Sequence, residues 1–154
     1  MLVLKPPTPL AVPAADRVVF LAGSIEQGAA EDWQARLTAA LDPEHLVVLN
    51  PRRDEWDASW RQSIDEPKFR DQVMWELDGL ERADVIAMWF APETRSPITL
   101  LELGLHVRGG KLVVGCPEGF WRRGNLEVVC ARFDVPLVAT WDAFVARVRA
   151  AVAG

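Results

Sequence analysis

DVIAMWFAPETRSPITLLELGLHVRGGKLVVGC, residues 84–116, contains one complete repeat of the chain's architecture. DVIAMWF (84–90) is apolar after its aspartate, which is how a strand buried on both faces reads. Ser96-Pro97 reads as a helix start, because serine can cap free backbone N–H groups and proline suits the first helical position. The helix runs to about residue 107 and stops at Gly109-Gly110. KLVVGC (111–116) is the next strand. Strand, helix and strand at this length predict a βαβ unit and parallel pairing. The helix is apolar on nearly every side, so it is expected to be buried, yet Glu102 stands in its middle between leucines. Burying an ionised carboxylate without a partner costs several kcal/mol, roughly. One account is an ion pair with an arginine of a neighbouring element. The other is a reactive carboxylate at the floor of a cleft.

Outward from this unit the same alternation continues. VVFLA (18–22) and LVVL (46–49) are strands, and 136–139 is a weak fifth. Helices are expected over 29–41 and over 68–82, the second burying a stripe of Phe69, Val73, Leu77 and Leu80. A further helix covers 126–133 with Asn125 as its cap. Thr140 caps a last one ending near residue 153. The predicted fold is α/β, a single doubly wound parallel sheet of five strands, flavodoxin-like, in the order 2-1-3-4-5, with helices on both faces. Residues 1–16, broken by Pro6, Pro7, Pro9 and Pro13, read as an irregular N-terminal arm on a domain spanning 17–154.

Composition narrows the function. The chain has 154 residues and a formal net charge of −5, which disfavours a phosphate-backbone binder, so no nucleic-acid partner is expected. The proline-broken start suits neither a signal peptide nor a membrane span, and a cytoplasmic protein is expected. Cys116, Cys130, His45 and His106 lack metal-ligand spacing, so neither metal nor cofactor is expected.

Open α/β sheets bind ligands beyond the carboxyl ends of their strands, where the strand order reverses. That rule gathers Gly23-Ser24, the 50–57 loop, residues 91–96 and the 117–125 loop around one crevice, with Glu102 facing it. Glu76, in WELDGL, offers a second acid, although most helical acids are simply solvated. Gly23-Ser24 is half of a phosphate loop at most; GxGxxG and GxxxxGK[ST] are absent. A tight strand-to-helix turn explains the glycine as well as a closely approaching ligand does.

Together these residues resemble a known family, the nucleoside 2-deoxyribosyltransferases and their relatives the deoxynucleoside monophosphate N-glycosidases. FLAGSI (20–25), WELDGLERADVIAMWF (75–90), SPITLLELG (96–104) and GNL (124–126) carry the resemblance, which spans about residues 20–140. NPRRDEWDASW (50–60) is similar to the nucleoside 2-deoxyribosyltransferase-like branch. The resemblance implies that Glu102 is the nucleophile attacking sugar C1′ and that Glu76 stands for the aspartate that binds and protonates the leaving base. It also implies that Ser96 stands for an aspartate at the sugar 5′-hydroxyl, Asn125 for an asparagine reaching that hydroxyl, and Phe20 for an aromatic residue beside the nucleophile. Its partners would be a nucleoside or nucleotide and a free nucleobase. A homo-oligomer, dimer or larger, would share the pocket between subunits.

The chain departs from that pattern. It has no tyrosine, and Ser96 replaces the aspartate. Glu26-Gln27 follow the Gly-Ser turn where the N-glycosidases carry a basic residue. Arg52, Arg53 or Arg123 could supply positive charge instead, or could form surface salt bridges. Trp56, Trp75 or Trp89 could stack on a base, or be core. The expected reaction is sugar transfer between bases through a glycosyl-Glu102 ester. Hydrolysis with water as acceptor is the alternative, and a non-catalytic nucleotide-sensing module the alternative of another class.

Overall fold

The computed structural model describes residues 1–14, 16–25, 31–41, 44–54 and 57–154. Along the chain lie β1 (Leu2–Leu4), β2 (Arg17–Gly23), α1 (Trp33–Ala40), β3 (Leu46–Leu49), α2 (Pro67–Arg82) and β4 (Val85–Trp89). They are followed by α3 (Pro97–His106), β5 (Leu112–Gly115), α4 (Arg123–Arg132), β6 (Leu137–Val138) and α5 (Trp141–Ala153). All strand pairs are parallel, with Phe20 level with Leu49 on one side and Ile86 on the other. Successive residues of each strand point to opposite faces. Val18, Phe20, Ile86 and Met88 meet α2, α3 and α4, while Val19, Leu21, Ala87 and Trp89 meet α1 and α5.

The sheet has six strands in the order 1-3-2-4-5-6, which corrects the expected five in the order 2-1-3-4-5. The extra strand comes from the arm expected to be irregular. Without β1, β3 would leave a row of backbone groups unpaired at the sheet edge. Leu2, Val3 and Leu4 pair with Val47, Val48 and Leu49 instead. The proline-rich part of the arm crosses α2, where Trp75 Nε1 donates to the Thr8 carbonyl at 2.8 Å and Arg82 donates to that of Leu10.

Two helices bury faces other than those expected. In α2 the buried residues are Gln72, Trp75, Gly79 and Leu80, not the Phe69–Val73–Leu77 stripe. A Cβ at Gly79 would come within 2.8 Å of the Phe20 ring, so only glycine lets this face approach the sheet so closely. In α3, expected to be buried all round, Thr99, Glu102 and Leu103 face inward while Ile98, Leu101 and Leu105 are more than half exposed.

Candidate active site

After the edge strand β1 the chain passes to β2, moves outward to β3, and returns through α2 to β4 on the other side of β2. The strand order therefore reverses between β2 and β4, and the crevice expected of an open α/β sheet falls at their carboxyl ends. Gly23 and Trp89 are paired there. A Cβ on Gly23 would lie 2.4 Å from the Trp89 carbonyl oxygen and 2.6 Å from the Trp33 ring, so packing alone demands this glycine.

Three buried hydroxyls meet just beyond it. Ser24 Oγ lies 2.7 Å from Thr94 Oγ1 and 2.6 Å from Ser96 Oγ, and the latter two are 2.8 Å apart. The Ala91 N–H donates to Ser24 Oγ at 3.0 Å, and Thr94 donates to the Ala91 carbonyl at 2.8 Å. The cluster thus ties the end of β2 to the loop leading into α3. Ser96 was expected to cap α3 with its side chain. Its backbone is left-handed (φ 48°, ψ 51°) and the hydroxyl joins Ser24 and Thr94 instead. Serine rarely adopts that conformation unless its surroundings hold it there.

α3 leaves the crevice end of β4, so Glu102 lies about one turn below the helix start. It is 8 % exposed. None of the ion pairs among the described residues involves it. The arginine partner of the alternative account is absent among those residues, and the charge that bears on Glu102 is that of Glu76. α2 runs towards the amino end of β4 on the sheet face that also carries α3, with Gln72 and Glu76 in its middle turns. Burial first, and then the Glu76 charge, push the Glu102 carboxyl up from 4.5 to about 8. Glu76 is raised as well, by burial, but the Gln72 hydrogen bond and the Arg53 charge pull it back down. A charge on Glu76 thus helps Glu102 keep its proton.

Gln72 and Arg53 belong to this site. Gln72 Nε2 donates to Glu76 Oε1 at 2.7 Å and to the Pro51 carbonyl at 3.2 Å, while Arg53 Nε donates to Gln72 Oε1 at 2.6 Å. Sequence reasoning passed over Gln72. Its signal was the four-residue spacing to Glu76, which puts both on one helix face.

The remaining expected residues lie as follows. Phe20 has no exposed surface and packs against Trp75, with ring centroids 6.2 Å apart. Trp89 packs on Trp141 and Phe144, each at 5.1 Å, and Trp75 is tied to the arm, so both are core residues. Arg52 faces α1, with Nε 4.0 Å from Asp32 Oδ2. Arg123 bonds Glu127 at 2.9 Å and the Cys116 carbonyl at 2.7 Å. Asn125 is exposed inside α4 rather than capping it; the cap position is Arg122. Trp56, Glu26 and Gln27 lie outside the described residues. Among the described residues no cluster of three or more His, Cys, Asp or Glu side chains is arranged to hold a metal, and no helix is long and apolar enough to cross a membrane.

A family model described as "Nucleoside 2-deoxyribosyltransferase like" matches residues 16–120. The chain belongs to the nucleoside 2-deoxyribosyltransferase-like family. The matched span runs from β2 into the loop after β5, and so includes both acids, Gln72 and the hydroxyl cluster. No curated protein matches the chain. Among solved structures it is similar to a conserved protein from Enterococcus faecalis V583, at 13% identity and a TM-score of 0.62, over 88% of this chain and 99% of that one. At that identity the likeness is one of fold. Membership of the family is consistent with glycosyl-transferring or hydrolysing chemistry and with nucleoside or nucleobase ligands.

Proposed function

We propose that this member of the family cleaves the N-glycosidic bond of a (deoxy)nucleoside and transfers the sugar to another base through a covalent glycosyl-Glu102 intermediate. The observation that carries the reading is Glu102 itself, a buried carboxyl without a cationic partner among the described residues, under the charge of a second acid in a chain of this family. A carboxylate held for structural reasons would be expected to keep a counter-cation.

The reaction balances with these two groups. Glu102, ionised, forms a C–O bond to C1′ as the C1′–N bond breaks, and the electron pair leaves with the base. Glu76 gives that nitrogen its proton. A second base then attacks C1′, Glu76 takes its proton back, and the Glu102 ester is released. The two acids must hold one proton between them, with the charge on Glu102 and the proton on Glu76 as bond cleavage begins. Burial favours the proton on Glu102 in the free protein, so substrate binding has to draw it off. A cation developing at C1′ favours an ionised Glu102 and supplies the driving force.

Ser24 and Ser96 would receive the sugar's 5′ end, and Gly23, Arg52, Trp56 and Asn125 complete the proposed ligand surroundings, with Phe20 packed behind them without exposed surface. Hydrolysis is the second reading. The observation favouring it is the neutral Ser24–Thr94–Ser96 cluster where the transferases have an aspartate. The exposed stripe of Ile98, Leu101 and Leu105 on the helix that bears Glu102 supports a homo-oligomer, dimer or larger, with pockets completed across the seam.

The test is mass spectrometry of the intact protein after brief exposure to mixed deoxynucleosides, followed by assay with a second base. A sugar adduct on Glu102 and a new nucleoside support transfer. An adduct followed by free deoxyribose supports hydrolysis. Saturable nucleotide binding with neither product sinks both in favour of a sensing module.

A further inference from the structure

The amide of Gln72 has both of its ends defined. Arg53 is a donor only, and its Nε reaches Gln72 Oε1 at 2.6 Å. The Pro51 carbonyl is an acceptor only, and it lies 3.2 Å from Gln72 Nε2. These two neighbours leave one orientation for the amide, with Nε2 donating its second hydrogen to Glu76 Oε1 at 2.7 Å. Gln72 is 3 % exposed, so water does not compete for these bonds. Arg53 is itself steadied by the Trp60 ring, 4.9 Å from its guanidinium carbon. Trp60, Arg53, Gln72 and Glu76 therefore form one chain from the long loop after β3 to the candidate acid.

We infer that Gln72, oriented by Arg53, is a positioning residue for the reaction: it holds Glu76 Oε1 as an acceptor, so that the proton delivered to the leaving base is carried on Oε2. This rests on the reading of Glu76 as the acid. The hydroxyl oxygen of a protonated carboxyl is a poorer acceptor than its carbonyl oxygen, so an amide N–H on Oε1 favours the proton on Oε2. The remaining oxygen is then the one available to the base, which fixes the direction of proton delivery. The same bond favours the ionised form of Glu76, as does the Arg53 charge, and both oppose burial. Among the described residues, the charged groups bearing on Glu76 are Arg53 from the loop and Glu102 from α3.

The consequence can be measured without turnover. In a Glu102→Gln background, Glu76 is the remaining buried acid of the pair, and the infrared carboxyl stretch follows its titration. Adding Gln72→Leu should move the midpoint upward by about one to two pH units, because a hydrogen bond to the charged form is lost. Arg53→Gln should move it the same way by less, and it keeps the test alive should Gln72→Leu fail to fold. An unmoved midpoint in both variants overturns the inference. With Glu102 present, Gln72→Leu should lower kcat by about ten- to a hundredfold at unchanged KM, with the alkaline limb of the rate profile displaced upward, and Gln72→Asn, too short to span both partners, should not rescue it. A fall in protein yield with an unchanged profile would reduce Gln72 to a structural residue. An infrared shift in a protein that never turns over nucleosides would leave the hydrogen-bond chain standing and sink the proposed function instead.

Discussion

Gln72 and Glu76 are bonded across one turn of α2, amide nitrogen to carboxylate oxygen at 2.7 Å, with Gln72 buried and Glu76 half-buried. A polar pair on the inward face of an amphipathic helix lowers the gain from burial unless both members are satisfied. Gln72 is satisfied by Arg53, Pro51 and Glu76, and Glu76 is bonded through Oε1.

Replacing Glu102 with glutamine should abolish sugar transfer and stabilise the protein in alkaline solution. The sign follows from a carboxyl that ionises at 4.5 when unfolded and at about 8 when folded. The folded state prefers the proton, so wild-type stability falls as pH rises from 4.5 towards 8 and then levels off. The loss is about 1.4 kcal/mol per pH unit across that window. Denaturant titration should therefore find Glu102→Gln several kcal/mol more stable than wild type at pH 8.5 and nearly equal to it at pH 5. A constant difference across that range would mean that Glu102 is ionised throughout.

Glu76→Ala should slow cleavage of natural nucleosides by about a hundred- to ten-thousandfold, the span usual for loss of a general acid. The deficit should shrink for a glycoside whose leaving group is acidic enough to depart unprotonated. Equal losses on both substrates, measured as single-turnover rates, would assign Glu76 to binding alone.

The hydroxyl cluster makes a stability prediction. Ser24→Ala removes the acceptor of the Ala91 N–H and one member of the triangle with Thr94 and Ser96. Leaving such groups unpaired costs about 1–3 kcal/mol. Chemical denaturation should register that loss, and substrate affinity should fall with it.

Gly79→Ala sets two effects against each other. Alanine gains about 1 kcal/mol of helix propensity. Its Cβ, however, would lie 2.8 Å from the Phe20 ring in a packed core, and overpacking of that kind costs about 1–3 kcal/mol. The clash should win, giving a lower melting temperature and a shifted Trp75 emission, since Trp75 packs on the same ring.

Leu101→Glu tests the proposed seam. Leu101 is 60 % exposed in this chain, so a monomer should tolerate the change. Sedimentation should find the unsubstituted protein as a dimer or larger and the variant shifted towards monomer. Identical sedimentation of the two would remove α3 from any interface.

The sequence by itself determined the alternation of strands and helices, the position of Glu102 in an apolar helix, and the family motifs around it. These are local signals: hydrophobic period, glycine stops and contiguous residue strings. Only the tertiary structure decided that β1 seals the sheet edge, that Gln72 lies on the buried face of α2, and that Ser96 turns its hydroxyl to Ser24 rather than to its own helix. Each of those depends on which distant segment lies opposite a residue once the sheet has been assembled. Periodicity along the chain says that a face will be buried, but the partner across the gap chooses which face, and a strand such as Leu2–Leu4 is too short to announce itself before there is an edge for it to cover.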